Sequence, residues 1–515
     1  MSQFVSSPLS EFPVLLLPLD CRPVCYQTPI LIASLLQCPL WLPPESLFGN
    51  LKQPADTDAL LEWCDETLAV FEARQQQPQV IASVQLLLHG GLIPARLEQR
   101  TEAETIDVLD DTWLRLFHSY NVTPDMMSAI LRIPAYNNAE EEPDYWAVYG
   151  KAMYQQSERW HRTLEGAYPA WQGELYQQLA TFPPPATLPE GVWQDFLARR
   201  QRSHAVHRFL LEEQERGAVN RVVFAQDDTG THGLNVAEAQ ELQALGARTT
   251  QAWVQTGADE VAHTLLLRSC VEHLQLQPKV WVGYSHTHGG AVVAKFDGVP
   301  IATVVQQRLQ ACGARVVATP QQADVWLLVH TPQATMGDHC SVHPSDGGTP
   351  EAHAWVLAQL AEAQTAGKGV ILADVAYANG ADAVLFEKLL TPDTLKALWG
   401  YGAWNTPGNA VGSAVAMGLA VWASQELGCY QPRVHQQLLA LRLLDDGAYQ
   451  AVVRQQVRGL YGAWQVPSSS AIEQAVADRL KPWQRRISEL LPLSLAEQWQ
   501  ATLPCQRLFE VGFRL

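Results

Sequence analysis

The sequence predicts an α/β fold built on parallel strands. Three observations carry this reading: short apolar, β-rich runs recur along the chain, longer amphipathic segments separate them, and polar residues gather where the runs end. The runs are continuous rather than alternating, as strands buried on both faces should be. The first covers residues 14–20, the second 83–91 (SVQLLLHGG), the third 129–135 (AILRIPA) and the fourth 221–228 (RVVFAQDD). A weaker fifth covers 248–255 and a sixth 279–286 (KVWVGYSH); runs at 315–319, 325–331, 369–375 and 398–405 complete the set. Between them, residues 56–75 carry Leu60, Leu61, Trp63, Leu68 and Phe71 at helical spacing. Segments 145–165 and 192–215 are longer and polar-faced, and 235–245 starts directly after a glycine-containing turn. Strand, helix, strand in repetition marks the α/β class. The expected architecture is a (β/α)8-like barrel with insertions over residues 1–430, with a helical insertion around 145–215 and a C-terminal helical region over 431–515. Doubly wound open parallel sheets in two domains are the alternative. The stretch 180–191, with Pro183-Pro184-Pro185, reads as a linker inside the insertion. No repeat of fixed period is visible.

Composition narrows the function classes. Hydrophobic residues make up 47% of the 515 and charged residues 17%, which excludes a disordered chain or a coiled coil. Lys+Arg 35 against Asp+Glu 53 gives a net charge of −18, a poor match to nucleic acid or an anionic membrane. The most basic stretch, Arg199-Arg200-Gln201-Arg202, reads as a solvated helix face. Nine cysteines without repeated spacing point to a reducing compartment. The apolar run at 14–19 is too short for a signal or a span, and glycines interrupt the one at 410–423. A soluble cytoplasmic protein with a small-molecule partner is expected, its oligomeric state open.

The sharpest local signal is Gln226-Asp227-Asp228-Thr229-Gly230-Thr231-His232-Gly233. A strand delivers two adjacent carboxylates into a turn, and a helix follows. Close carboxylates resist double ionisation, so one keeps its proton to higher pH, the separation that glycosidic cleavage needs. Mg²⁺ binding by the pair and phosphate binding at the helix start compete with this. The plain structural alternative has Asp228 capping the helix and Asp227 making a turn. Further strand ends present Asp374 with Asn379 and Asp382 behind it, then Trp404 and Asn405 ahead of Asn409. Trp offers an apolar platform and Asn oriented hydrogen-bonding groups, a combination suited to a polyhydroxylated ligand. Packing of Trp404 and helix capping by Asn409 are the alternatives. Asp20 with Arg22, His89 before two glycines, Arg132 ahead of Tyr136-Asn137-Asn138 and Glu140-Glu141-Glu142, and Asp259 with Glu260 are weaker binding candidates. Asp20, Arg132, Asp228, Asp374 and Asn405 are expected to share one pocket, because parallel strands end on one side. His286, His288, Asp338, His339, Cys340 and His343 could ligate zinc but lack the spacing of a zinc motif. No metal and no cofactor are expected: no Gly-x-Gly-x-x-Gly, Walker loop or Gly-x-Ser-x-Gly elbow occurs where it would be needed.

Together these pieces resemble a bacterial family catalogued as domain of unknown function 4127. The matching segments are PLDCRPV (18–24), HGGLIPAR (89–96), RIPAYNNAEEEPDYW (132–146), QDDTGTHG (226–233), GADE (257–260), DVAYANGAD (374–382) and GAWNTPGN (402–409). This resemblance implies membership and no particular reaction; the histidine-rich stretch 286–343 does not match the family pattern. A looser resemblance is to substrate-assisted N-acetylhexosaminidases, barrels with an acidic pair at the fourth strand end. It implies that Asp227 orients an acetamido group and Asp228 protonates the leaving oxygen. The leading expectation is therefore a glycoside hydrolase acting on small saccharides, N-acetylhexosaminides among them. Asp374 or Glu260 would be the partner carboxylate if the substrate supplies no nucleophile. A metal-dependent hydrolase or lyase using the acidic pair and the histidines is one rival; a non-enzymatic small-molecule binder is the other.

Overall fold

A computed structural model describes residues 7–164, 175–180, 186–340, 347–461, 469–491, 493 and 499–514. Pro183, Pro184 and Pro185 of the expected linker and His343 lie outside the described residues. The main strands form two open parallel sheets. The first holds β1 (Val14–Leu17), β2 (Leu40–Trp41), β3 (Gln79–Ser83), β4 (Asp125–Ile130), β5 (Arg221–Gln226) and β6 (Ala252–Thr256) in the order β2-β1-β3-β4-β5-β6. The chain continues through β7 (Lys279–Tyr284), β8 (Arg315–Val316), β9 (Val325–His330), β10 (Gly337–Asp338), β11 (Gly369–Asp374), β12 (Tyr377–Ala378) and β13 (Leu398–Gly402). Here β10 pairs with β12, and the other five form the second sheet, ordered β13-β11-β9-β7-β8.

Neither sheet closes, so the barrel expectation gives way to the doubly wound alternative. The reason is the reversal at the first strand of each sheet. In the first, β2 takes one edge of β1 and β3 the other; in the second, β8 and β9 flank β7 in the same way. Right-handed crossovers leaving in opposite directions put helices on both faces, whereas a barrel needs every crossover on one side. The pleat follows: Val14, Leu16, Met127, Ala129, Val223 and Ala225 enter the core shared with the second sheet, while Leu15, Leu17, Met126, Ile130, Val222 and Phe224 pack outward.

The two sheets are joined through helices. Pro23–Leu36 and Val261–His273 contact one another, and both contact Pro407–Glu426, which lies on β11 and β13. Residues 407–424 of that helix are all buried. Close approach is possible because glycine stands at each contact: a Cβ at Gly400 would lie 2.3 Å from the carbonyl oxygen of Ala414, and one at Gly402 2.3 Å from that of Ala410. Across the first sheet lie Thr57–Ala73, started by the Asp56 side chain, and Glu190–Arg216, whose Trp193 joins Trp146 and Trp160 of Trp146–Leu164 in a separate small core.

Several local expectations change. The run at 83–91 is not a strand; β3 ends at Ser83, whose Oγ accepts the Leu86 N–H at 3.5 Å and starts the helix Val84–His89. A continuous apolar run fits a buried helix as well as a strand, and the serine and the left-handed Gly90 at its ends decide it. The two-residue β2 was missed. The Arg199–Arg202 stretch is not a solvated face: Arg200 and Arg202 are buried, Arg200 ion-paired with Glu238. The C-terminal region carries helices Pro432–Arg442, Arg454–Tyr461 and Ser470–Leu490 but ends in an antiparallel pair, β14 (Gln500–Thr502) with β15 (Gly512–Arg514). No described helix is long and apolar enough to cross a membrane.

Gly400→Ala should push the helix Pro407–Glu426 off β13. A loss of about 1–3 kcal/mol, the usual cost of overpacking, is expected from urea unfolding with an unchanged m-value; wild-type stability would show that the seam yields.

Candidate functional site

The site forms where the carboxyl ends of the first sheet meet loops of the second, the side on which open α/β sheets bind ligands. Just after β1, Asp20 Oδ1 accepts the Arg22 backbone N–H at 3.0 Å and Oδ2 accepts its Nε at 2.8 Å. This turn aims Arg22 across the sheet, where Nη2 donates to Asp259 Oδ1 at 2.6 Å. Asp259 follows β6, and its Oδ2 accepts Nδ2 of both Asn405 and Asn409, each at 3.2 Å, from the loop after β13. Asn405 holds a left-handed backbone (φ 64°), as does Asn379 (φ 63°), whose N–H donates to the Asn405 carbonyl at 2.8 Å. Asparagine is among the few residues that tolerate this conformation. Asp446, from the C-terminal region, fixes the same loop by accepting the Ala403 and Trp404 N–H groups.

The acidic pair stands at the end of β5. Asp227 donates its N–H to the Ile130 carbonyl at 3.1 Å, and the Thr229 N–H reaches the Phe296 carbonyl of the second sheet's loop at 2.7 Å. The capping alternative fails. The N-cap of helix Leu234–Gly246 is Gly233, whose own N–H goes to His161 Nδ1, and the first N–H of the helix, that of Leu234, goes to Ser157 Oγ. Asp228 is therefore free for another role. Arg96 Nη2 donates to Asp227 Oδ2 at 2.6 Å, and its Nη1 to Glu141 and Glu142 at 3.0 Å each. Arg132 donates to Asp228 Oδ2 at 3.2 Å, Glu142 at 3.0 Å and Glu141 at 2.6 Å. Arg507 joins from the C-terminus, paired with Glu141 and Glu510.

These contacts divide the pair. Burial works against ionisation of Asp227, but Arg96 and Arg132 outweigh it and hold the carboxyl below its usual range. At Asp228, burial and the Asp227 charge push the carboxyl up to about 6 against the pull of Arg132. Asp228 also reaches solvent: its side chain is 31% exposed, against 12% for Asp227 and 4% for Arg96. A groove of about 650 Å³ adjoins the turn, lined by Thr229, Gly230 and Thr231 on one side and by Lys295, Phe296 and Met336 on the other. Tyr136 is the exposed aromatic here, at 47%, with Arg132, Glu142 and Asp228 as charged neighbours.

Thus Asp20, Arg22, Arg132, Asp227, Asp228, Asp259, Asn405 and Asn409 come together in one network. Asn379 joins through Asn405 and also donates Nδ2 to Asp338 at 3.0 Å. Other candidates fall elsewhere. Trp404 is 3% exposed and packs edge-on against Phe509, so it offers no platform. His89 is buried against Glu98. Glu260 has no exposed surface and lies 2.8 Å from Arg308; burial pushes it up to about 7 against that guanidinium. Asp374 is equally buried, its Oδ2 accepting the Asp382 N–H at 2.8 Å, and Asp382 turns toward His330 and His353. Neither Glu260 nor Asp374 can act as a partner carboxylate at the mouth. His286 bonds Thr331 and Thr349, and Asp338 pairs with Lys295, so the zinc set first considered does not assemble among the described residues. Arg96, Arg507 and Glu510 were missed. Arg96 ends the HGGLIPAR segment but follows no strand end, and Arg507 meets Glu141 across 366 residues of chain.

The pair should report its environment before any substrate is known. The raised Asp228 binds its proton more tightly folded than unfolded. Its contribution to stability is present below the ordinary carboxylate range and is lost as pH rises to about 6. Asp228→Asn should therefore gain on the wild type in Tm as pH rises from 4 to 7. Asp227 has the opposite sign, contributing above the carboxylate range and losing that as pH falls. Asp227→Asn should cost about 1–3 kcal/mol at pH 7 by urea unfolding. Equal behaviour of the two variants would contradict the division.

Comparison with known proteins places this geometry in a family without placing it in a reaction. No curated protein matches the chain. The family model described as protein of unknown function (DUF4127) matches residues 14–514, which takes in both sheets and every residue of the network above. The chain belongs to that family.

Proposed function

We propose that the protein is a glycoside hydrolase acting on small saccharides, with Asp228 as general acid and Asp227 as its ionised companion. The observation that carries the reading is the division of two adjacent carboxylates at the mouth of the site. One is held charged by Arg96, and the other keeps a proton up to about pH 6 while facing solvent. Oppositely shifted carboxyls are how a single site supplies both an acid and a stabilising anion near neutrality. Asp20, Asn405 and Arg132 offer the acceptors and donors that sugar hydroxyls bind, buried Asp259 holds Asn405 in place, and Tyr136 replaces Trp404 as the aromatic face. With Asp374 and Glu260 buried, the second carboxylate of a conventional mechanism would be Asp20, 22% exposed and oriented by Arg22, or Asp227. A 2-acetamido sugar would bring its own nucleophile; Asp227 would then orient the acetamido group, and N-acetylhexosaminides are accordingly the first substrates to try. Nine free thiols fit a reducing, cytoplasmic setting.

A panel of chromogenic glycosides tests this. On any substrate turned over, Asp228→Asn should lower kcat/KM by about 10²–10⁴-fold with the fold intact. Wild-type activity should decline as pH rises through about 6, where the acid gives up its proton. Tyr136→Ala should raise KM more than it lowers kcat. Wild-type turnover in Asp228→Asn would remove the acid assignment.

A further inference from the structure

A second cluster lies in the other sheet. His330 is the last residue of β9, His353 sits in the first turn of the helix Pro350–Thr365, and Asp382 precedes the helix Ala383–Leu389. All three are buried, and their ligand atoms lie within 4.8 Å of one another. His353 Nε2 is 2.8 Å and His330 Nε2 3.2 Å from the same oxygen, Asp382 Oδ2. The place in the fold is telling: β7 and β9 are neighbours from which the chain departs in opposite directions, the point at which doubly wound sheets open a crevice.

We propose that His330, His353 and Asp382 form a divalent transition-metal site, zinc by its ligand set. Two imidazoles and a carboxylate suit that class of ion and leave a fourth position for water. The supporting contacts are those that metal ligands use. Asp382 Oδ1 is occupied by the Val384 and Leu385 N–H groups at 2.9 and 3.3 Å, which leaves Oδ2 for the centre. His330 Nδ1 is 3.2 Å from Ser285 Oγ, which accepts the Thr331 N–H at 2.9 Å; a partner on the far ring nitrogen fixes Nε2 toward the metal. The Gly348 backbone packs directly against the ligand atoms, where no side chain fits: a Cβ there would lie 2.2 Å from Asp382 Oδ2 and 2.3 Å from His330 Nε2. Without metal, both Nε2–H groups donate to one oxygen. To bind an ion each ring must turn an Nε2 lone pair inward and carry its proton on Nδ1; at His330 that proton faces Ser285 Oγ, whereas His353 Nδ1 is buried without a hydrogen-bond partner.

Burial makes the site a structural clasp rather than a second active site, since no sugar-sized ligand reaches it. What it would clasp is the loop after β11. The Asp382 N–H holds Asp374, and Asn379 in the same loop supports Asn405 and Asp338 at the cleft.

The test uses the full chain, stripped with chelator and dialysed, then titrated with Zn²⁺ by calorimetry and elemental analysis. One equivalent retained per chain and a higher Tm are expected. His330→Gln and His353→Gln should each abolish retention while melting near the stripped wild type. Zinc bound equally by the wild type and both variants, or by none, overturns the proposal. If the variants do not fold, Co²⁺ in the wild type decides. Visible bands of four-coordinate cobalt that zinc displaces support the site, and the spectrum of the hydrated ion alone refutes it. The outcome does not depend on whether Asp228→Asn loses activity.

Discussion

The carboxylate of Asp259 is the point on which the two sheets converge. It accepts from Arg22, sent across by the turn after β1, and from Asn405 and Asn409, sent by the loop after β13. Burial raises its pKa against the pull of Arg22, so its charge is stable only while these donors stay in place. A neutral side chain would not require donors from both sheets. A buried anion does, because an uncompensated charge in a low-dielectric interior costs several kcal/mol. The geometry of the cleft thus follows from one electrostatic requirement that neither sheet can meet alone.

The same logic organises the wider network. Arg22, Arg96, Arg132 and Arg507 stand among Asp20, Glu141, Glu142, Asp227, Asp228, Asp259 and Glu510, so guanidiniums are outnumbered. Each arginine is spent on two or more carboxylates, which uses the planar fork of the guanidinium. Asp228 sits at the edge of this lattice, with one arginine contact and its neighbour's negative charge beside it. Its proton affinity is therefore a result of position in the network and not of burial alone.

Apolar packing brings the charged elements into register. The helix Pro407–Glu426 can lie against β13 only because glycines at 400 and 402 admit its carbonyls. Its first turn then carries Asn409 to Asp259, and the N–H of Gly408 reaches Asp297 at 2.9 Å. The C-terminal helices serve the site as well. Arg442 pairs with Asp445 and Asp446, Asp446 holds the Ala403–Trp404 turn, and Arg454 Nη2 holds the Asn379 carbonyl at 2.8 Å. The region that the sequence presents as C-terminal and helical thus supports the loops after β11 and β13.

By itself the sequence determined what is local. Apolar runs with turn chemistry at their ends marked most of the main strands, but β2 and β3 were missed and the run at 129–135 meets β4 only at that strand's last two residues. Polar residues at those ends marked the side of the first sheet where the charged network gathers, and the DD step in QDDTGTHG singled out the acidic pair. It could not choose between a barrel and open sheets, because strand order depends on which edge each crossover reaches, and periodicity carries no record of that. Nor did it show that the sheets share one strand order, since topology repeats here without a repeat in residues. Burial decided the rest. Trp404 and Asn405 are chain neighbours, yet one is sealed against Phe509 and the other reaches Asp259. Arg507 finds Glu141 from the opposite end of the chain, and His330, His353 and Asp382 meet only because a strand, a helix and a loop converge at one crevice. Contacts of this kind are set by long-range packing and charge compensation, which act between positions that no window along the sequence contains.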